Sequence, residues 1–152
     1  MYPKPPFASQ SQPWPGLASR MNPPPDHGEQ SYRGRGRLSG RKALVTGGDS
    51  GIGRAAAIAF AREGADVAIS YLPAEEEDAQ AVAHWIRDAG RKAVLLPGDI
   101  SHEGVCERLV ADAVTQLGGL DILVNNAGRM GQTQGLLETS TERFDTLMKT
   151  NV

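Results

Sequence analysis

From Leu38 onward two kinds of apolar pattern alternate along the chain. Short, nearly unbroken apolar runs at Lys42–Thr46, Asp66–Tyr71, Ala93–Pro97 and Leu120–Val124 have the length and residue types of strands buried on both faces. Between them lie segments with helical periodicity. Gly51–Glu63 carries Ile52, Ala55, Ala56, Ala59 and Phe60 as its apolar positions. Glu75–Ala89 sets Ala79, Val82, Ala83, Ile86 and Ala89 on one stripe, with acids in the first turn where the helix dipole favours them. Ser101 is positioned to cap a third helix, with Val105, Leu109, Ala113 and Leu117 facing inward. Thr139-x-x-Glu142 has the form of a capping box, opening a last helix that carries Phe144, Leu147 and Met148. Gly64, Gly90 and Gly118 fall where the first three helices end, as left-handed closing residues do.

Strand and helix therefore alternate, which predicts right-handed crossovers onto one parallel sheet: an α/β, doubly wound architecture. Ligands of such sheets gather beyond the carboxyl ends of the strands. Those ends read Thr46-Gly47, Tyr71-Leu72, Gly98-Asp99 and Asn125-Asn126.

Residues 1–37 differ in kind. Eight of the ten prolines lie between Pro3 and Pro25, among Ser, Gln and Gly. This stretch is expected to be a disordered or extended tail, with Tyr2, Phe7, Trp14 and Tyr32 as anchors toward a neighbouring subunit. The remainder, 38–152, forms one unit of ordinary domain size or a part of one.

The net charge of −2 gives no field drawing the chain to nucleic acid or to an anionic membrane. Cys106 is the single cysteine, which fits a reducing compartment. No apolar run reaches the ~20 residues of a membrane span, so a soluble cytoplasmic protein is expected. His27, His84, His102 and Cys106 have no metal-ligand spacing, and no metal site is expected.

The candidate chemistry lies in Thr46-Gly-Gly-Asp-Ser-Gly-Ile-Gly53, between the first strand and the first helix. Unpaired N–H groups of a helix's first turn, and its dipole, make such a loop a seat for phosphate. Gly47, Gly51 and Gly53 allow the tight turn, close ligand approach and close helix packing. Gly48-Asp-Ser-Gly51 is also similar to the nucleophile region of trypsin-like serine proteases. Those are β-barrels, however, and the upstream histidine here, His27, lies in the tail.

Together with Gly98-Asp99-Ile100, Asn125-Asn-Ala-Gly128 and Lys149-Thr-Asn151-Val152, this loop resembles the short-chain dehydrogenase/reductase family over about residues 38–152. The wording of the loop, the segment Ser70–Asp78 and the proline-rich extension are similar to bacterial glucose/ribitol dehydrogenase homologues and general-stress oxidoreductases. The resemblance implies a Rossmann-type sheet, represented here by four strands of the usual seven or so. It implies that Gly47, Gly51 and Gly53, with the N–H near Ile52, cradle the pyrophosphate of NAD or NADP, and that Asp49 and Ser50 belong to the same cofactor-binding loop, Ser50 where NADP-preferring relatives often carry a base. Tyr71 and Leu72, at the end of the second strand, and Asp99 and Ile100 would meet the adenosine. Asn126, Ala127 and Gly128 would line the path to the nicotinamide, with Asn125 tying the central strands. Asn151 matches the asparagine that holds a water in the family's proton relay. Full-length relatives are mostly homotetramers acting on alcohols, sugars, polyols and aldehydes.

The end of the second strand, Ser70-Tyr71-Leu72, carries neither the acid usual for NAD nor the base usual for NADP, and Asp66 stands at the opposite end of that strand. The acidic run Glu75–Asp78 tilts the expectation toward NAD. The family's Tyr-x-x-x-Lys is absent, since positions four after Tyr2, Tyr32 and Tyr71 are Pro6, Gly36 and Glu75. A phenol of ordinary pKa near 10 needs that cation to work at neutral pH. The chain is thus expected to be the cofactor-binding part of a longer enzyme, inactive and poorly soluble alone. A non-catalytic nucleotide-binding or interaction module is the alternative.

Overall fold

The computed structural model describes residues 3–130 and 135–152. Tyr2, read as one of the tail's anchors, lies outside the described residues.

Strands β1 (Lys42–Thr46), β2 (Asp66–Tyr71), β3 (Ala93–Pro97) and β4 (Ile122–Val124) form one sheet in the order β3-β2-β1-β4. Every pairing is parallel, with Ala43 beside both Val67 and Ile122. The order reverses beside β1, so the carboxyl end of β1 opens onto the crevice where doubly wound sheets bind ligands. Alternate residues supply two cores. Val45, Val67 and Ile69 pack with Ala57, Ala61, Val82 and Ile86 on one face, and Leu44, Ala68, Val94 and Leu96 pack with Leu109, Ala113 and Leu117 on the other.

Helices α1 (Gly51–Arg62) and α2 (Glu76–Asp88) cover the first face, and α3 (Glu103–Leu117) covers the second. The stripes expected of α2 and α3 are the ones buried, except that Ala89 and Val105 are only partly so. In α1 the face is rotated: Gly53, Ala57, Ile58 and Ala61 are buried, while Ile52 is 82% exposed. An alanine-rich helix offers several equally apolar phases, and its fit against β1 and β2 selects among them. Two caps also shift by one residue. His102, not Ser101, precedes α3, and Ser140, not Thr139, caps α4 (Thr141–Asn151) by accepting from Arg143 N. β4 is shorter than expected, beginning at Ile122.

The proline-rich segment lies along α1 and α2 as a strap. Its 3₁₀ turn Ala18–Arg20 is fixed by Asp78, whose carboxylate accepts from Ala18 N at 2.5 Å and Ser19 N at 3.1 Å. Farther on, Arg62 donates to the carbonyls of Gly28, Glu29 and Tyr32. Glu63 accepts from Tyr32 Oη and from the main-chain N–H groups of Arg35 and Arg37. Charged and main-chain groups thus hold this segment to the helices.

Candidate functional site

The turn after β1 leaves no room for a side chain at Gly48 and little at Gly47. Gly47 has φ +61°, and a Cβ on Gly48 would stand 2.5 Å from Ile69 Cγ2. A Cβ on Gly53 would collide with Gly47 O and come within 2.5 Å of Asn126 Nδ2, so α1 and β1 meet at this glycine. Gly51 differs: at φ +52° it has nothing within 4 Å of where a Cβ would be, and faces open space. Ser50 is the N-cap residue of α1, yet its side chain caps nothing, and the first turn holds no acid. The earliest helical bond runs from Arg54 N to Ser50 O at 3.0 Å. The N–H groups of Gly51, Ile52 and Gly53 thus have no partner within the helix, at the positive end of its dipole.

The neighbouring strand end is tied to this turn by Asn126. Its Nδ2 donates to Thr46 O at 2.9 Å and Gly47 O at 3.0 Å. Asn125, expected to make the tie, is exposed; the strand's alternation turns the second asparagine inward.

Beyond these ends lies a cavity of about 240 Å³. Of the residues singled out from sequence, Gly47, Asp49, Ser50, Tyr71, Leu72, Asp99, Ile100, Asn126, Ala127 and Gly128 line it. Gly51, Ile52 and Gly53 do not; they form the N-terminus of α1 beside it. Asn151, the last residue of α4, also stands outside the lining. Its Oδ1 accepts from Arg129 N at 2.7 Å and its Nδ2 donates to Arg129 O at 2.9 Å, which holds the chain just after Gly128.

The acids around the cavity divide by environment. Asp49 is only 2% exposed and its Oδ2 has no hydrogen-bond partner among the described residues. Burial pushes its pKa up, with nearby Asp78 adding to the shift. Glu75 is likewise raised by burial, although its Oε2 accepts from Leu72 N at 2.9 Å. Asp99 is lowered, chiefly because its carboxylate accepts from Ser101 N at 2.9 Å. Burial raises the Tyr71 phenol, which donates to Glu76 Oε2 at 2.7 Å. Asp66 pairs with Arg91 at the amino end of β2, away from the cavity.

Residues 41–152 match the family described as short chain dehydrogenase. The chain belongs to that family. It is 57% identical over 146 residues to the uncharacterized oxidoreductase YghA of Escherichia coli (strain K12), a match covering 96% of this chain and 50% of that protein. General stress protein 39 of Bacillus subtilis (strain 168) is 43% identical over 150 residues, covering 99% and 52%. Among solved structures, a short chain dehydrogenase from Burkholderia cenocepacia J2315 in complex with NADP superposes with a TM-score of 0.70 at 42% identity. That match covers 76% of this chain and 46% of the other. The chain spans about half the length of the curated relatives it matches.

This short-chain dehydrogenase chain also lines its cavity with Trp14 and Ser101, expected from sequence as a tail anchor and a helix cap, and with Pro15, Arg129, Thr146 and Thr150, which local sequence pattern does not single out. Trp14 and Pro15 arrive from the strap, and Thr146 and Thr150 from one face of α4 at helical spacing. An i, i+4 threonine pair beside Asn151 was the one available signal for the latter two.

Proposed function

We propose that the chain is the cofactor-binding part of an NAD(P)-dependent oxidoreductase that moves hydride between a nicotinamide dinucleotide and an alcohol, sugar or aldehyde. The observation carrying this reading is the uncapped N-terminus of α1, which opens beside a cavity at the carboxyl edge of a parallel sheet. The residues present suit the cofactor. Gly47, Ser50, Gly51, Ile52 and Gly53 offer main-chain donors and close approach to a diphosphate. Asp49, Tyr71, Leu72, Asp99 and Ile100 form the wall proposed for the adenosine, and Asn126, Ala127 and Gly128 lead away from it. When bound, the nicotinamide ring supplies or accepts the hydride. Asn151 is proposed for the relay, held in place by Arg129.

Asp49, Glu75 and Asp99 put three carboxyl groups in the wall, against one base, Arg129, among the described lining residues. This supports NAD over NADP. The tail and the dinucleotide-binding part, divided near residue 37, belong to a full-length enzyme proposed to be a cytoplasmic homotetramer. Exposed Phe144 and Met148 on α4 support such assembly.

The sequence holds no Tyr-x-x-x-Lys, so this chain is proposed to bind without turnover. Titration of the purified 152-residue chain with NADH and NADPH, followed by nucleotide fluorescence, tests both points. Saturable binding, several-fold tighter for NADH and without dehydrogenase activity, is expected. Failure of both nucleotides to bind would overturn the reading.

A further inference from the structure

Residues 12–17 of the strap close into a turn of their own. Gln12 Nε2 donates to Leu17 O, Leu17 N donates to Gln12 Oε1, both at 2.9 Å, and Gly16 N donates to Pro13 O at 3.0 Å. The base of the turn is pinned through Ala18 and Ser19 to the carboxylate of Asp78, itself 1% exposed. At the apex, Trp14 and Pro15 border the cavity together with Leu72, Asp99 and Ile100. The Trp14 ring lies 4.2 Å from the guanidinium carbon of Arg129, which follows the end of β4. A strap serving only to pack would bury its large apolar group, as it buries the smaller Ala18. Instead Trp14 remains 58% exposed while its backbone is fixed on both sides.

We propose that Trp14 is a binding residue: its indole, flanked by Arg129, stacks on the aromatic base of the dinucleotide, so the strap forms a wall of the cofactor site. This rests on the dinucleotide reading given above. Indole and guanidinium are the side chains that take the face of a planar base. Leu72 and Ile100 supply apolar walls for the same base. Asp99 supplies an acceptor for an exocyclic amino group, which favours adenine over the nicotinamide end. The turn is preorganised, so little ordering entropy is lost when the base arrives.

The test compares a ligand with the base and one without it. AMP and inorganic pyrophosphate are titrated by calorimetry into the 152-residue chain and into its Trp14→Ala and Trp14→Phe variants. Trp14→Ala is expected to weaken AMP about tenfold or more, the scale of one base–aromatic stack, and to leave pyrophosphate unchanged. Trp14→Phe should retain most of the AMP affinity. In a Trp85→Phe chain Trp14 is the remaining tryptophan, and AMP should quench its emission. Unchanged AMP affinity in Trp14→Ala, or equal loss of AMP and pyrophosphate, would overturn the proposal. If the unmodified chain bound pyrophosphate but not AMP, the stacking role would fall and the phosphate seat would stand. If it bound neither, both readings would fall.

Discussion

Thr46 Oγ1 accepts from the main-chain N–H of Asn126 at 3.0 Å, while the Asn126 side chain donates back to Thr46 O. The same hydroxyl accepts from Ala127 N at 3.0 Å. One side chain at the end of β1 thus fixes the path of the chain leaving β4, and with it three residues that line the cavity. Thr46→Val keeps the shape and leaves two part-buried donors without their partner. It should lower stability by about 1–3 kcal/mol, read as a shift in the urea midpoint, and Thr46→Ser should recover most of the loss.

Two glycines of one loop should respond differently to alanine. Gly53→Ala drives a methyl group into Gly47 O and Asn126, main-chain and tied atoms that have little room to move. A loss of at least 2 kcal/mol is expected, on the scale of overpacking a tight interior contact. Gly51→Ala meets no atom and bears only its left-handed backbone, a loss of about 1–2 kcal/mol. Thermal melts of the two variants separate these causes; equal losses would show that the close approach at Gly53 relaxes freely.

The parts of this architecture legible in the sequence are those with a local signature. Uninterrupted runs such as Ala43-Leu44-Val45 require burial on both faces, and Gly64, Gly90 and Gly118 do close helices in left-handed conformations. The phase of α1 was not legible, because alanine marks no single face. The course of the strap was hidden for a different reason. Its attachments join Ala18 to Asp78 and Tyr32 to Glu63, carboxylates whose sequence neighbours look like an ordinary solvated helix surface. Asp78 illustrates this: within the run Glu75–Asp78 it is the member with a buried partner across 60 residues.

Asp49 should make stability depend on pH in the direction opposite to most carboxylates. Its pKa is raised in the folded chain, so ionising it costs folding free energy above the ordinary aspartate value of about 3.9. Asp49→Asn should therefore raise the melting temperature at pH 7. The gain should shrink as pH falls and vanish below about 3.9. A gain that persisted in acid would show that packing, rather than charge, is responsible.

Glu63 should act with the usual sign. Arg37 first, then Tyr32 and the N–H groups of Arg35 and Arg37, hold its pKa far below the normal carboxylate range. The attachment it provides is complete above the unfolded value of about 4.3 and is lost as pH falls through the lower folded one. The protection of the Arg35 and Arg37 amides against hydrogen exchange, taken relative to their intrinsic rates at each pH, should fall in acid. Glu63→Gln should remove most of that dependence while exchanging faster at neutral pH.

The position of β1 between β2 and β4 has a consequence for assembly on the ribosome. β1, β2 and β3 pair with near neighbours in the chain, and that half-sheet can form as soon as it emerges. Thr46 must then wait for Asn126, 80 residues later, before its hydroxyl is engaged and the glycine turn is locked. A newborn chain halted before that point would carry the glycine turn's sequence without its shape, exposing β1 as an edge for which other nascent chains compete.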